Sequence, residues 1–145
     1  MVKIAICDND VASTSLIENL LYEAARGINI PIEVDIFFDG LTLKAGMDQG
    51  NNYDLIYLDI EMEKLNGIKT AQYIREKKHT VLIIYISSYE KYLKELFEVE
   101  PFRFIAKPIN HTVFFKYFYS AYERIESGQE QFEIKFKNEI EHIPV

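Results

Sequence analysis

The stretch Tyr53-Asp54-Leu55-Ile56-Tyr57-Leu58-Asp59-Ile60-Glu61-Met62 contains a short apolar run that ends directly in an acidic residue. The run from Leu55 to Leu58 is almost continuously apolar, which is typical of a strand that is covered on both faces. Strands of this kind occur in parallel sheets with helices on both sides. Asp59, at the carboxyl end of this strand, is therefore the first candidate functional residue.

Four other short apolar runs are also predicted to be strands. They are Val2 to Cys7, Ile32 to Phe38, Val81 to Ile86 and Phe102 to Ala106. Apolar and acidic residues alternate in the second of the five runs along the chain, which predicts an edge strand because one of its faces is open to solvent.

Helical patterns separate these strands. One apolar stripe runs from Leu16 to Ala24, with Gly27 expected to end the helix, and further patterns lie at Ile68 to Ile74, Tyr89 to Val99 and Phe114 to Ile125. Because a parallel connection needs a crossover that packs back on the sheet, the alternation predicts a doubly wound α/β fold. Five parallel strands in the order 2-1-3-4-5 are expected.

Composition limits the classes of protein to which the chain could belong. Its 145 residues are enough for one packed domain, and the single cysteine, Cys7, excludes an internal disulfide. No apolar run reaches the roughly 18 residues of a membrane-spanning helix, so a cytoplasmic protein with no membrane partner is expected. The net charge of -7 makes this chain alone a poor DNA binder.

Polar residues follow four of the five predicted strands. They are Asp8-Asn9-Asp10, Asp59, Ser87-Ser88 and Lys107-Pro108. In the predicted strand order these groups converge at the functional edge of the sheet. Clustered carboxylates favour a hard divalent cation such as Mg²⁺, a lysine and a hydroxyl suit phosphoryl oxygens, and an Asp carboxylate can accept a phosphoryl group. Each position taken alone could equally be an ordinary cap or turn residue.

A set of ordered motifs carries a family resemblance. The segments are Ile4-Ala5-Ile6-Cys7-Asp8, Tyr53 to Met62, Asn66-Gly67, Ile86-Ser87 and Phe104-Ile105-Ala106-Lys107-Pro108. Together they resemble the receiver domain of two-component response regulators over about residues 1–126. The resemblance implies a flavodoxin-like receiver fold and a signalling domain rather than an ordinary enzyme. It also implies that Asp59 is the phosphoacceptor for a sensor histidine kinase.

The resemblance assigns further roles residue by residue. Mg²⁺ would be bound by Asp8, Asn9, Asp59 and the Glu61 main-chain carbonyl, and Lys107 and Ser87 would bind the phosphoryl group. Ser87 and Phe104 would be the switch residues, and Lys107-Pro108 a cis peptide. The face formed by the fourth helix, fifth strand and fifth helix is expected to form a homodimer, with Tyr92, Phe104 and Tyr117 as candidate contacts.

Two residues depart from the family pattern. Asn9 stands where a second acidic residue is usual, which removes one negative charge and is expected to weaken Mg²⁺ binding unless Asp10 reaches the metal. Glu63 replaces the proline that usually follows the methionine of the phosphoacceptor loop, and it adds negative charge near the site. Slow or weakly retained phosphorylation is therefore expected.

The C-terminal residues carry a second, shorter resemblance. The stretch from Phe132 to Val145 alternates apolar and polar residues and resembles the opening strands of a LytTR-type DNA-binding domain. Residues 127–145 are therefore predicted to be a linker and a β-hairpin of an incomplete output domain, and DNA is expected to bind only through the missing part. A hairpin that belongs to the receiver itself is the alternative.

Two other functions remain open at this point. A phosphatase of the haloacid dehalogenase class would use Asp8 as nucleophile and Asp10 as acid and base, but the acidic pair expected after Lys107 is missing. A receiver-like docking or dimerisation module without phosphoryl transfer is the stronger rival, because Asn9 and Glu63 both weaken the phosphorylation site.

Overall fold

Strands and helices alternate along the chain in the computed structural model, which describes residues 1–61, 66–78, 80–88 and 101–141, with side chains as far as residue 128. The elements are β1 (Val2–Cys7), α1 (Val11–Gly27), β2 (Ile32–Phe37), α2 (Gly40–Asp48), β3 (Leu55–Leu58), α3 (Gly67–Lys77), β4 (Leu82–Ser87), β5 (Arg103–Ala106) and α4 (His111–Glu141). Helix α4 contains the last predicted helix. The helix predicted from Tyr89 to Val99 lies outside the described residues.

The five strands form one sheet in the order β2-β1-β3-β4-β5. All four pairings are parallel, so the predicted doubly wound α/β fold and strand order are confirmed. The second strand lies at an edge, as its alternating pattern predicted.

Both faces of the sheet are covered by helices. On one face, the alternate residues Ile56 and Leu58 of β3 pack with buried side chains of α2 and α3. On the other face, Leu55 and Tyr57 pack with α1 and α4, and the Tyr57 ring stacks on Phe114. The continuous apolar run of β3 follows from this double burial, because neighbouring side chains of a strand point to opposite faces.

Helix α2 was not predicted. It has only nine residues, and its buried apolar side chains are few, with Leu43 and Met47 facing the core. A short helix with so few buried apolar residues gives a weak periodic signal in the sequence. Its beginning is marked locally, since the Asp39 carboxylate accepts a hydrogen bond from the Thr42 N–H at 2.8 Å.

The predicted C-terminal hairpin is wrong within the described residues. Helix α4 continues through Ser127-Gly128 and is described as far as Glu141. A glycine in a helix costs about 1 kcal/mol relative to alanine, which a long helix tolerates. Phe132, Phe136 and Ile140 are spaced by four residues, so the segment fits a helical period as well as the strand period. Residues 142–145 lie outside the described residues.

Candidate functional site

The carboxyl ends of the strands bring three buried polar side chains to one edge of the sheet. Asp8 is 1% exposed, Asp59 6% and Ser87 1%. The register of the sheet accounts for the first two, because Cys7 of β1 lies opposite Leu58 of β3, and the next residue on each strand is the aspartate. The Asp59 N–H also donates to the Cys7 carbonyl at 2.9 Å, which extends the pairing into the site.

Lys107 supplies the positive charge of the site. Its Nζ atom lies 2.9 Å from Asp8 Oδ2 and 3.7 Å from Asp59 Oδ2. The Lys107 main chain is held beside β4, since its N–H donates to the Ser87 carbonyl at 3.1 Å. The peptide bond between Lys107 and Pro108 is cis, as predicted. One cation therefore bridges two buried carboxylates.

The main chain fixes both carboxylates from the side opposite the lysine. The Asp10 N–H donates to Asp8 Oδ1 at 2.9 Å, and the Glu61 N–H donates to Asp59 Oδ1 at 3.4 Å. Each carboxylate thus has one oxygen towards its own loop and the other towards Lys107. This arrangement leaves the orientation of both groups well defined.

The Asp59 loop is also packed against the beginning of α3. The Asn66 side chain caps α3 by accepting from the Lys69 N–H at 3.0 Å, and the Gly67 N–H donates to the Ile60 carbonyl at 2.9 Å. A Cβ on Gly67 would lie 2.7 Å from Ile60 Cα and closer still to the Asp59 carbonyl oxygen. Glycine is required at this position because the two main chains touch. From the sequence, Asn66-Gly67 was only one of the motifs of the family resemblance.

Burial and charge shift the titration of the site. Burial and, to a smaller extent, the Asp8 carboxylate raise the pKa of Asp59 to about 6, and Lys107 opposes both effects. Burial would lower the pKa of Lys107, but the hydrogen bond to Asp8 and the charges of Asp59, Asp8 and Asp10 raise it above its ordinary value. The site therefore holds a protonated lysine and one carboxylate that takes up a proton easily.

This geometry agrees with a match to a known family. Residues 4–118 match the response regulator receiver domain. The chain belongs to this family.

Relatives of this receiver include regulatory proteins of known name. The transcriptional regulatory protein YpdB of Escherichia coli (strain K12) is 37% identical over 79 residues, which are 54% of this chain and 32% of that protein. The sensory transduction protein LytT of Bacillus anthracis is 26% identical over 110 residues, which are 76% of this chain and 43% of that protein. The chain thus spans less than half the length of these relatives, and the predicted receiver of a LytTR-type response regulator agrees with them.

Solved structures show the same fold. The response regulatory domain of the protein mrkE from Klebsiella pneumoniae superposes with a TM-score of 0.78 at 25% identity, covering 87% of this chain and 99% of that chain.

Within the described part of this receiver, no helix is both long and apolar enough to cross a membrane.

The predicted metal-binding residues differ in exposure. The Asn9 side chain is exposed, in contrast to the buried Asp8 and Asp59, and the Glu61 main chain lies next to Asp59, to whose carboxylate its N–H donates. Asp10 does not reach the site, because its carboxylate accepts from the Ala12 N–H and the Ser13 hydroxyl, both at 3.0 Å, and caps α1. The same two donors, the hydroxyl first, lower the pKa of Asp10. Across the described residues, no group of three or more His, Cys, Asp or Glu side chains is arranged to hold a metal.

The remaining donors still suit Mg²⁺. Receiver domains bind this ion in an acidic pocket, and Mg²⁺ is usually bound by one or two carboxylates while it keeps several waters. Asp8 and Asp59 supply two carboxylates, and burial and the Asp8 charge keep the pKa of Asp59 raised although Lys107 lowers it. The receiver therefore fits a magnesium ion at this edge with the same two carboxylates, Asp8 and Asp59, that the sequence resemblance implied.

Phe104, one of the two proposed switch residues, and the interface candidate Tyr117 lie near β5, at the edge of the sheet. Phe104 of β5 is half-buried beside Tyr85 of β4, and Tyr117 of α4 is also half-buried. Arg103 lies over the Phe102 ring at 4.3 Å and near the Tyr117 ring at 5.7 Å. Glu63 and Tyr92 lie outside the described residues.

Proposed function

We propose that this receiver accepts a phosphoryl group on Asp59 from a sensor histidine kinase and thereby controls a LytTR-type transcriptional regulator. The observation that carries the proposal is the bridging position of Lys107, 2.9 Å from Asp8 and 3.7 Å from Asp59. A buried carboxylate with a fixed cation beside it is suited to receive a phosphoryl group, because the cation is in place before the new negative charge arrives.

The proposed transfer forms one bond and breaks one. An Asp59 carboxylate oxygen attacks phosphorus, and the bond from phosphorus to the donor imidazole nitrogen of the kinase breaks. The product is an acyl phosphate on Asp59 and an imidazole that keeps the electron pair of the broken bond. Asp59 must be ionised to attack, and with a pKa of about 6 it is mainly ionised at pH 7.

Lys107 and Ser87 are the proposed ligands of the phosphoryl oxygens. Both residues are held in place by one hydrogen bond, from the Lys107 N–H to the Ser87 carbonyl. Asp8, Asp59 and the Glu61 carbonyl would hold Mg²⁺, with Asn9 beside them. The ion would supply positive charge that offsets the phosphoryl oxygens and the two carboxylates.

The proposed output is a shift between two states of the receiver. The phosphoryl group would favour one state through its contacts with Ser87 and Lys107, and Ser87 and Phe104 would pass the change to the face that contains β5 and α4. A homodimer through this face is part of the proposal. Residues after 126 would lead to a LytTR-type domain that contacts DNA, which the names YpdB and LytT of the relatives support.

Two alternatives give different outcomes. A docking module would not be phosphorylated, and the exposed Asn9 together with the capping role of Asp10 favours this alternative over the phosphatase. A haloacid dehalogenase-like phosphatase would need Asp10 as acid and base, but both oxygens of its carboxylate are engaged in capping α1.

The experiment that tests the proposal is intact-mass measurement after incubation with acetyl phosphate, with and without Mg²⁺. Wild type, Asp59→Asn and Asp8→Asn are compared. We expect a Mg²⁺-dependent phosphoryl adduct on wild type that is absent from Asp59→Asn. An adduct that persists in Asp59→Asn but disappears in Asp8→Asn would favour the phosphatase, and the absence of any adduct and of beryllofluoride binding would favour the docking module.

A further inference from the structure

We infer that Asp10 is a positioning residue of the metal site: it caps helix α1 and thereby holds the N–H group that orients the Asp8 carboxylate, and it is not itself a metal ligand. The inference rests on the proposed function, since it concerns how the same site binds a divalent cation.

The carboxylate of Asp10 is committed to the helix. Oδ1 accepts from the Ala12 N–H and Oδ2 from the Ser13 hydroxyl, each at 3.0 Å. The Asp10 carbonyl also accepts from the Thr14 N–H at 3.0 Å, so the residue begins the helix with main chain and side chain together. Residue 10 has an extended backbone with φ -94° and ψ 113°, as an N-cap requires.

The Asp10 cap also supplies negative charge at the beginning of α1. Its first turn contains no acidic side chain, so Asp10 is the residue that offsets the positive end of the helix dipole. A capping carboxylate pulled towards a metal would leave the first N–H groups of the helix without this partner. Binding a metal through Asp10 would therefore cost the helix its cap.

The main chain of Asp10 connects the helix cap to the Asp8 carboxylate. Its N–H donates to Asp8 Oδ1 at 2.9 Å, and Asp8 Oδ2 accepts from Lys107 at the same distance. Because Asp8 is buried, an oxygen that lost this N–H would lack a donor and the carboxylate would turn to find one. Capping by the side chain thus fixes the N–H that orients the Asp8 carboxylate, with its other oxygen directed at Lys107.

The test compares two substitutions that remove the same charge. Asp10→Ser keeps a capping oxygen, whereas Asp10→Ala removes it. Mg²⁺ binding is measured by calorimetric titration with MgCl₂ on both variants and on wild type, after circular dichroism has shown that each is folded. We expect Asp10→Ser to bind Mg²⁺ with an affinity close to that of wild type and Asp10→Ala to bind about tenfold more weakly, as for other residues that orient metal ligands.

A matched control separates positioning from general stability. Asn110 caps α4 through the Val113 N–H at 3.1 Å, and Asn110→Ala removes a cap without touching Asp8. We expect Asn110→Ala to lower the melting temperature as much as Asp10→Ala does and to leave Mg²⁺ affinity unchanged.

The outcomes decide the inference independently of phosphorylation. Equally weak Mg²⁺ binding by Asp10→Ser and Asp10→Ala would overturn it, because the carboxylate itself would then matter. Equal binding by Asp10→Ala and wild type, or no binding by wild type, would overturn it as well. If the expected Mg²⁺ pattern is found but acetyl phosphate gives no adduct on Asp59, the inference stands and the proposed function fails.

Discussion

The Cα atom of Gly67, the first residue of α3, packs directly against the carbonyl group of Asp59, the proposed phosphoacceptor. A Cβ at residue 67 would lie 2.9 Å from the Asp59 carbonyl carbon and 2.7 Å from Ile60 Cα. Both atoms belong to the main chain, so neither can move aside as a flexible side chain could. The position of Asp59 therefore depends on the absence of a side chain at residue 67.

We predict that Gly67→Ala destabilises the receiver by about 2–3 kcal/mol, because the main chain of the Asp59 loop must shift to admit the methyl group. Urea denaturation measures this change. Gly128→Ala is the matched control: no atom lies within 4 Å of its new Cβ, and it removes a glycine from a helix. It should increase stability by about 0.5–1 kcal/mol. A Gly67→Ala protein as stable as wild type would contradict the close packing described here.

We predict that Asp59→Asn stabilises the metal-free receiver at pH 7 by about 1–3 kcal/mol. The folded-state pKa of about 6 lies above the ordinary value of 3.8, so the native state binds more protons than the unfolded state between these values. Stability from this group therefore falls as the pH rises from about 4 to 6. An uncharged asparagine at residue 59 does not ionise, so the variant avoids this loss of stability.

The pH dependence is the control for this prediction. Urea denaturation of wild type and Asp59→Asn at pH 7, in the presence of a chelator, should give the difference. The gain should largely vanish near pH 4, because Asp59 is then protonated in the folded state and close to its ordinary pKa of 3.8 in the unfolded state. A gain of equal size at both pH values would mean that relief of the ionised carboxylate is not its cause.

We predict that Lys107→Met lowers stability at pH 7 by about 2 kcal/mol, since Asp8 and Asp59 lose the cation they share. The loss should be smaller at pH 5, where Asp59 takes up a proton. Lys77→Met is the comparison, because Lys77 pairs with Asp48 at 3.2 Å on the exposed surface, where an ion pair contributes little to stability. Thermal unfolding of both variants at the two pH values checks the prediction, and equal losses would refute it.

We predict that Asn9→Asp increases Mg²⁺ affinity about tenfold, because it restores a third negative charge next to Asp8. Asn52→Asp adds the same charge just before β3, at the amino ends of the strands and so on the side away from the site. It should leave the Mg²⁺ affinity unchanged. Calorimetric titration with MgCl₂ measures both. Unchanged affinity in Asn9→Asp would show that residue 9 does not contribute to the cation site.

The sequence was sufficient to predict the sheet. The strand from Leu55 to Leu58 is buried on both faces, and such a strand is therefore recognisable in the sequence as a continuous run of apolar residues. Helix α2 was missed because its position depends on two buried side chains and a cap rather than on a long period. The C-terminal segment was wrongly predicted because its apolar residues fit two periods at once, and the sequence alone does not choose between them.

The site was predicted in its residue types but not in its contacts. Asp8, Asp59, Ser87 and Lys107 follow strands whose ends meet, so their convergence followed from strand order. Which carboxylate Lys107 contacts more closely depends on loop geometry. The Asp10 carboxylate could accept hydrogen bonds from the Ala12 N–H and the Ser13 hydroxyl or face the site instead. No pattern in the sequence indicates which of these it does.

The order of the site residues along the chain has a consequence for synthesis. Pairing of β1 with β3 brings Asp8 and Asp59 together, whereas Lys107 follows the last strand of the sheet. On the ribosome both carboxylates are made well before the lysine, and a domain generally folds as a unit. Repulsion between Asp8 and Asp59 opposes the pairing of β1 with β3 until Lys107 has emerged, which favours formation of the site together with the whole domain.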